Sequence, residues 1–177
     1  MERGRRAPTR RVFDSIRRMK KLAPKGLGFL ENPPASMDFE ATMRCSALEL
    51  FDILASAEKL GLWLDDFKGV DWLSEPPHGA GSRREVRLAI LTVHERFVAW
   101  EPGKRISFTM EGMSLPIVEA VGEDMRIEPI DEDHCKLTWR VAYELTWYMR
   151  PLDRLVRWNF GKLFRKSLQN LQKLCAR

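Results

Sequence analysis

The stretch from Pro151 to Arg177 reads PLDRLVRWNFGKLFRKSLQNLQKLCAR, and its pattern decides the fold. Proline suits the first position of a helix, where a missing N–H has no intrahelical partner to lose. Leu152, Leu155, Val156, Phe160, Leu163, Phe164, Leu168, Leu171, Leu174 and Cys175 recur at steps of three and four. That spacing places them on one broad stripe of a single long helix. Arg154, Arg157, Lys162, Arg165, Lys166, Lys173 and Arg177 take the other side. A stripe of that width needs a large apolar surface against it, so the preceding chain is expected to be a sheet that curves around this helix.

The chain before it has the right parts. Ser36–Arg44 alternates and reads as a strand. Ala47–Leu54 and Ala57–Leu64 read as two short helices, with Ser46 and Ser56 placed to cap them. Strands follow over Phe67–Leu73, Ser82–Ile90, Leu91–Trp100, Arg105–Met110, Ile117–Ile130 and Lys136–Thr146. The turns SEPPHGAGS, EPGK, GMSLP and DEDH separate several of them. No crossover helices interrupt this meander, so the sheet is expected to be antiparallel with one face toward the core. Upstream, Thr9 can cap a helix reaching about Ala23, and Gly26–Pro34 reads as a linker. The expected organisation is therefore a basic segment over residues 1–35 and one α+β domain over 36–177.

Composition narrows the class. The chain has 177 residues, 44% hydrophobic and 31% charged, which suits one globular domain with a real core. No apolar run reaches the roughly 20 residues that span a bilayer, and MERGRRAPTRR leads into no secretory signal core. Cys45, Cys135 and Cys175 are odd in number and far apart along the chain. They suit a reducing compartment rather than a disulfide framework or a zinc site. A cytoplasmic location, with peripheral membrane association, is the expectation.

The net charge of +5 conceals a split: residues 1–26 carry +8, residues 150–177 carry +7 and the middle carries −10. Solvated helix faces account for such ends. Attraction of residues 1–26 and the C-terminal helix to an anionic membrane surface is the sharper reading. Nucleic acid is not expected as a partner, since the basic residues accompany no reading motif.

Five pieces then resemble a known family in order and spacing: SALELFDILASAEKLGLWLDDFKGVDWL, GAGSRREVRL, FVAWEPGKRISF, IEPIDEDHCKLTWRVAYEL and the terminal helix. Together, over about residues 37–175, they resemble the START/Bet v 1-like superfamily (SRPBCC), particularly its polyketide cyclase/dehydrase and lipid-transport branch. The resemblance implies a helix-grip fold, a curved antiparallel sheet wrapped around the long C-terminal helix, with two short helices after the first strand. It also implies a cavity between sheet and helix for a hydrophobic small molecule such as a lipid, sterol or polyketide. Some members catalyse cyclisation or dehydration, and many only carry or sense a ligand, so the fold does not choose between these.

Direct motifs do not choose either. GxGxxG, GxxxxGK[ST], HExxH and GxSxG are all missing. His134 and Cys135 are neighbours that would point opposite ways on a strand, and Asp65–Asp66 and Asp131–Asp133 read as solvated turns. No cofactor or metal is expected.

The candidate ligand-binding residues lie on the strands and the helix. His94 and Arg96 share a strand face with Val98 and Trp100. If that face is inward, both reach the cavity, and Arg96 needs a polar or anionic partner there. The opposite choice puts Val93, Glu95, Phe97 and Ala99 inside. The first choice is preferred. Phe108, Met110, Met125, Trp139, Tyr143, Trp158 and Asn159 complete the set, being the sulphur, aromatic and amide groups of an adaptable apolar pocket. Two functions follow. One is binding or transport of an apolar ligand. The other is a cyclase or dehydratase with His94 or Tyr143 as acid/base and Arg96 holding an anionic substrate.

Overall fold

The computed structural model describes residues 19–176. Among them, eight strands form one antiparallel sheet: β1 Lys20–Lys21, β2 Ala35–Met43, β3 Phe67–Trp72, β4 Arg83–Leu88, β5 Thr92–Glu101, β6 Arg105–Met113, β7 Val118–Pro129 and β8 Cys135–Leu145. The order across the sheet is β2-β8-β7-β6-β5-β4-β3, with β1 paired to β6. The helices are α1 Leu27–Glu31, α2 Ala47–Ala55, α3 Ala57–Trp63 and α4 Asp153–Cys175, the last preceded by a 3-10 turn over Arg150–Leu152 that contains Pro151. This is the expected helix-grip arrangement.

Local chemistry explains the helix starts. Ser46 Oγ accepts from the Glu49 N–H at 3.2 Å, and Ser56 Oγ accepts from the Lys59 N–H at 3.2 Å. Each satisfies a backbone donor that the first turn leaves free. The EPGK turn between β5 and β6 places Gly103 at φ +69°, a conformation that glycine adopts without steric cost.

α4 buries Val156, Phe164, Leu168, Leu171 and Cys175, as the stripe predicted. Leu152 and Leu155 depart from it: both are about half exposed, beside Trp158. Polar contacts lock the helix to the elements around it. Ser167 Oγ accepts from the Asp65 N–H at 3.0 Å, Asn170 donates to the Trp63 carbonyl, and Gln172 donates to the Thr42 carbonyl.

The N-terminal part differs from expectation. Residues 9–18 of the expected helix lie outside the described residues. Its final turn is instead strand β1, pairing Lys20 with Met113 and Lys21 with Gly112. β6 and β7 pair only from Arg105–Thr109 to Gly122–Arg126, and β1 takes the side of β6 beyond that. Leu22 is buried, its N–H donates to the Glu111 carbonyl, and Lys20 Nζ reaches the Val118 carbonyl at 2.9 Å. The expected linker contains α1, whose Leu30 is fully buried against Gly122. A Cβ at Gly122 would meet Leu30 Cδ2 and the Phe108 carbonyl oxygen at 2.8 Å, so glycine allows this close approach.

Candidate functional site

The inner face of the sheet is read from its cross-strand pairs. On β5, Val93 pairs with Val86 and Met113, and Phe97 pairs with Phe108. All of these are buried. The inward residues are therefore Val93, Glu95 and Phe97, and the preferred reading of His94 and Arg96 as cavity residues is reversed. His94 Nε2 lies 3.0 Å from Glu85 Oε2. Arg96 donates to Glu111 at 2.7 Å and to the Lys25 carbonyl at 2.9 Å. The partner that Arg96 requires is thus supplied by the protein on the outer face.

The physical reason for the reversal is a bulge. Phe97 pairs with Phe108, but Ala99 pairs with Ser107, leaving Val98 unopposed. An extra residue inverts the alternation beyond it. Trp100 consequently turns inward, with ring centroids 5.7 Å from Phe51 and 4.9 Å from Phe97. An inward Trp100 no longer carries His94 and Arg96 with it.

Between this face and α4 lies a cavity of about 90 Å³. Val86, Val93, Met110, Val121 and Val141 line the sheet side, and Val156, Phe160, Leu163 and Phe164 line the helix side. Among the described residues, Glu95, Glu123 and Tyr143 are the only lining residues with polar side-chain groups, and none of the lining is Lys, Arg or His. Ligand pockets are commonly about 300–1,000 Å³, so a ligand of that size requires α4 and the sheet to separate. Leu88, Leu91, Phe160 and Leu163 also line an open groove with Asp65, Asp66, Ile90, Asn159, Lys162, Arg165 and Lys166. These four apolar side chains form the partition between cavity and surface.

A buried polar cluster closes the far side. Arg84 Nε donates to Glu95 Oε2 at 2.5 Å, and both residues are buried. The Arg84 guanidinium also lies 4.9 Å from the Phe97 ring centroid and 5.5 Å from that of Phe108. Trp139 Nε1 donates to Glu123 Oε2 at 2.9 Å. Burial pushes the Glu95 carboxyl up, against the opposing pull of Arg84. Burial and the neighbouring Glu95 charge push Glu123 up to about 8, against Trp139 and Arg84. Glu123 is therefore mainly protonated at neutral pH. Burial, with the hydrogen bond to Asp153 at 2.6 Å, also raises the Tyr143 phenol.

The sequence-derived residues separate into three groups. Met110 and Tyr143 line the cavity. Phe108, Met125 and Trp139 are buried in the core beside it, joined by the less buried Trp100. Trp158 is exposed under the Lys162 ammonium, 3.2 Å from its ring centroid, and Asn159 sits at the outer groove, donating to the Leu155 carbonyl. Arg84 and Glu123 are absent from the sequence candidates, and Glu95 enters only under the alternative face of its strand. Their signal was the period-two placement of Glu123 between Val121 and Met125, and of Glu95 between Val93 and Phe97.

Cys45, Cys135 and Cys175, distant in sequence, converge as buried free thiols close enough to shift one another's ionisation. Burial raises all three thiols, Cys135 to about 12. Among the described residues, no group of three or more His, Cys, Asp or Glu is arranged to hold a metal ion. No helix among them is long and apolar enough to cross a membrane.

A family described as polyketide cyclase / dehydrase and lipid transport matches residues 34–176. The chain belongs to this family. Uncharacterised proteins from Mycobacterium tuberculosis and Mycobacterium bovis are each 31% identical to it over 149 residues, 84% of this chain and 89% of theirs. Among solved structures, the Zhui aromatase/cyclase from Streptomyces sp. R1128 superposes with a TM-score of 0.68 at 13% identity, covering 81% of this chain and 94% of that one. A START superfamily protein from Mycobacterium smegmatis gives 0.65 at 14% identity, covering 78% and 97%. These structural likenesses show the START/Bet v 1 helix-grip fold. For this polyketide cyclase / dehydrase and lipid transport member, family and fold support hydrophobic-ligand binding or cyclase-like chemistry as a general class.

Proposed function

We propose that the protein binds or carries a hydrophobic small molecule in the cavity between the sheet and α4. The observation that carries this reading is the cavity lining, which is apolar on both the sheet and helix sides apart from Glu95, Glu123 and Tyr143. A packed core ordinarily leaves no such space, and concave apolar surfaces with a few convergent polar groups are typical ligand sites. Entry would pass the Leu88, Leu91, Phe160 and Leu163 partition. The exposed Ile90 lines the groove there with Lys162, Arg165 and Lys166, and the exposed Trp158 lies under the Lys162 ammonium, which supports unloading at an anionic membrane surface. The basic segment over residues 1–26 would add to that attraction. Three free cysteines suit a reducing cytoplasm.

Native mass spectrometry of protein purified from its own host tests the reading. Wild-type protein should retain an apolar molecule in about equimolar amount, and a Val121→Trp variant, with the cavity filled, should lose it. Equal retention by both, or none by either, argues against the cavity. Vesicle binding that weakens with salt, and falls when Lys162, Arg165 and Lys166 are replaced together by Gln, is expected for the membrane step; binding indifferent to both removes it.

A second reading, a cyclase or dehydratase, is favoured by one observation: Glu123 presents a protonated acid to an apolar cavity. His94 is unsuited to the role because it faces outward. Turnover of an identified substrate that survives Glu123→Gln undiminished would dismiss Glu123 as the acid.

A further inference from the structure

The buried cluster holds more acid than base. Arg84 is one cation, and Glu95 and Glu123 are two carboxyls, all at least nine-tenths buried. Arg84 bonds Glu95 directly, while Glu123 has the neutral Trp139 N–H instead. A second ionised carboxylate in this setting would be a buried charge without a partner, which is costly enough that the group takes a proton. A protonated carboxyl is a donor as well as an acceptor. Arg84 and Trp139 both reach Oε2 of their glutamates, and among the described residues no hydrogen bond reaches either Oε1. Glu123 therefore brings to the cavity an acid group with one oxygen held by Trp139 and the other without a partner among the described residues, amid apolar side chains.

That arrangement selects a ligand chemistry. A donor without an acceptor is satisfied by a carbonyl or hydroxyl oxygen on the incoming molecule. Among the described residues, an anionic head group finds no Lys, Arg or His in the lining, and meets the Glu95–Glu123 pair instead. Arg84 keeps one buried guanidinium nitrogen, Nη1, without a hydrogen-bond partner among the described residues, but it stands behind the cavity rather than in its lining, its charge opposed by Glu95 and its plane set among aromatic rings. We propose that this cavity takes neutral, oxygen-bearing apolar molecules (ketones, esters or alcohols), with Glu123 donating a hydrogen bond to the ligand oxygen, and that it rejects anionic amphiphiles. This proposal rests on the cavity-binding reading above and names its ligand class.

The preference reverses a common assumption about basic proteins. The chain is positive overall, yet the polar groups of the described residues facing its cavity are two carboxyls and a phenol. An anionic lipid could meet the basic exterior and still be refused inside.

Two probes of nearly equal shape test it: 2-acetylnaphthalene, a neutral ketone, and 2-naphthoate, its carboxylate counterpart. Isothermal titration calorimetry at pH 7 should give at least tenfold tighter binding for the ketone. Glu123→Leu should cut ketone affinity at least tenfold, and Glu123→Gln, whose amide restores a donor, should recover most of it. Circular dichroism confirms that each variant is folded. Equal affinities for ketone and naphthoate, tighter naphthoate binding, or a ketone affinity indifferent to Glu123→Leu would overturn the head-group assignment alone. Failure of both probes to bind wild-type protein would instead overturn the cavity reading and the proposal with it.

Discussion

Replacing Glu123 by glutamine should change how stability depends on pH, not merely its size. The carboxyl of Glu123 is raised from its ordinary 4.5 to about 8 in the folded protein by burial and the adjacent Glu95 charge. Arg84 from β4 and the Trp139 N–H from β8 pull the other way, and α4 brings only apolar Val156, Phe160, Leu163 and Phe164 to the same cavity. A group raised on folding gives its full contribution below its unfolded value and loses it as pH climbs to the folded value. Between pH 4.5 and about 8, wild-type stability should therefore fall by roughly 5 kcal/mol relative to a non-titrating isostere, at about 1.4 kcal/mol per pH unit. About 3 kcal/mol of that is lost by pH 7, a large share of the roughly 5–15 kcal/mol that ordinary domains possess. Glutamine keeps an acceptor for the Trp139 N–H and cannot ionise. Urea denaturation of both proteins from pH 5 to 9 measures the effect. The variant should gain steadily on wild type up to about pH 8 and hold its advantage above it. A stability difference that stays constant over that range would refute a protonated, buried Glu123.

Three further outcomes follow from the same packing. Gly122→Ala should cost about 1–3 kcal/mol in chemical denaturation, because its Cβ would press on the Phe108 carbonyl oxygen as well as on Leu30; an unchanged midpoint would contradict the close approach of α1 to the sheet. Arg84→Met should destabilise by about 3–5 kcal/mol, since Glu95 loses its buried partner, whereas the double variant Arg84→Met/Glu95→Leu should regain most of that loss; additive costs would contradict the pair. Burial pushes Asp124 up, but hydrogen bonds from Arg105 and Ser107 and the Arg105 and Arg126 charges outweigh it and hold the carboxyl below 3.8. Its stabilisation is present above that pH and vanishes as pH falls through the lowered folded value. Asp124→Asn should thus cost about 1–3 kcal/mol at pH 7 and progressively less under acid titration; a constant cost would contradict the ionised network.

Much of the architecture was legible because large apolar residues repeat with the period of the element that holds them. The stripe along α4 buries Val156, Phe164, Leu168 and Leu171, and the Ser46 and Ser56 caps act as their positions suggested. Legibility failed where local geometry breaks a period or where long-range pairing overrides weak local preference. The Val98 bulge inverts the alternation of β5, so Trp100 faces inward while His94 and Arg96, expected on the same face, lie outside. Lys20 and Lys21 have no strand pattern of their own, and they become β1 because β6 offers an unpaired edge where β7 departs. α1, with glycine at its start and two prolines after it, looks like a linker until the burial of Leu30 is considered. The acid cluster is hidden for a different reason. Glu95 and Glu123 resemble ordinary surface glutamates until the register brings them to one cavity with Arg84 behind. Burial, not residue type, makes them distinctive.

The account stands most directly on where an apolar molecule sits. Nuclear Overhauser contacts between 2-acetylnaphthalene and methyl-labelled protein measure this. Cross-peaks from the ring protons to Met110, Val121, Val141 and Leu163 are predicted, since all four line the space between sheet and helix. Contacts confined to the exposed Ile90 and Leu155 methyls, with none to Val121 or Val141, would place the ligand on the surface and contradict the cavity as the binding site.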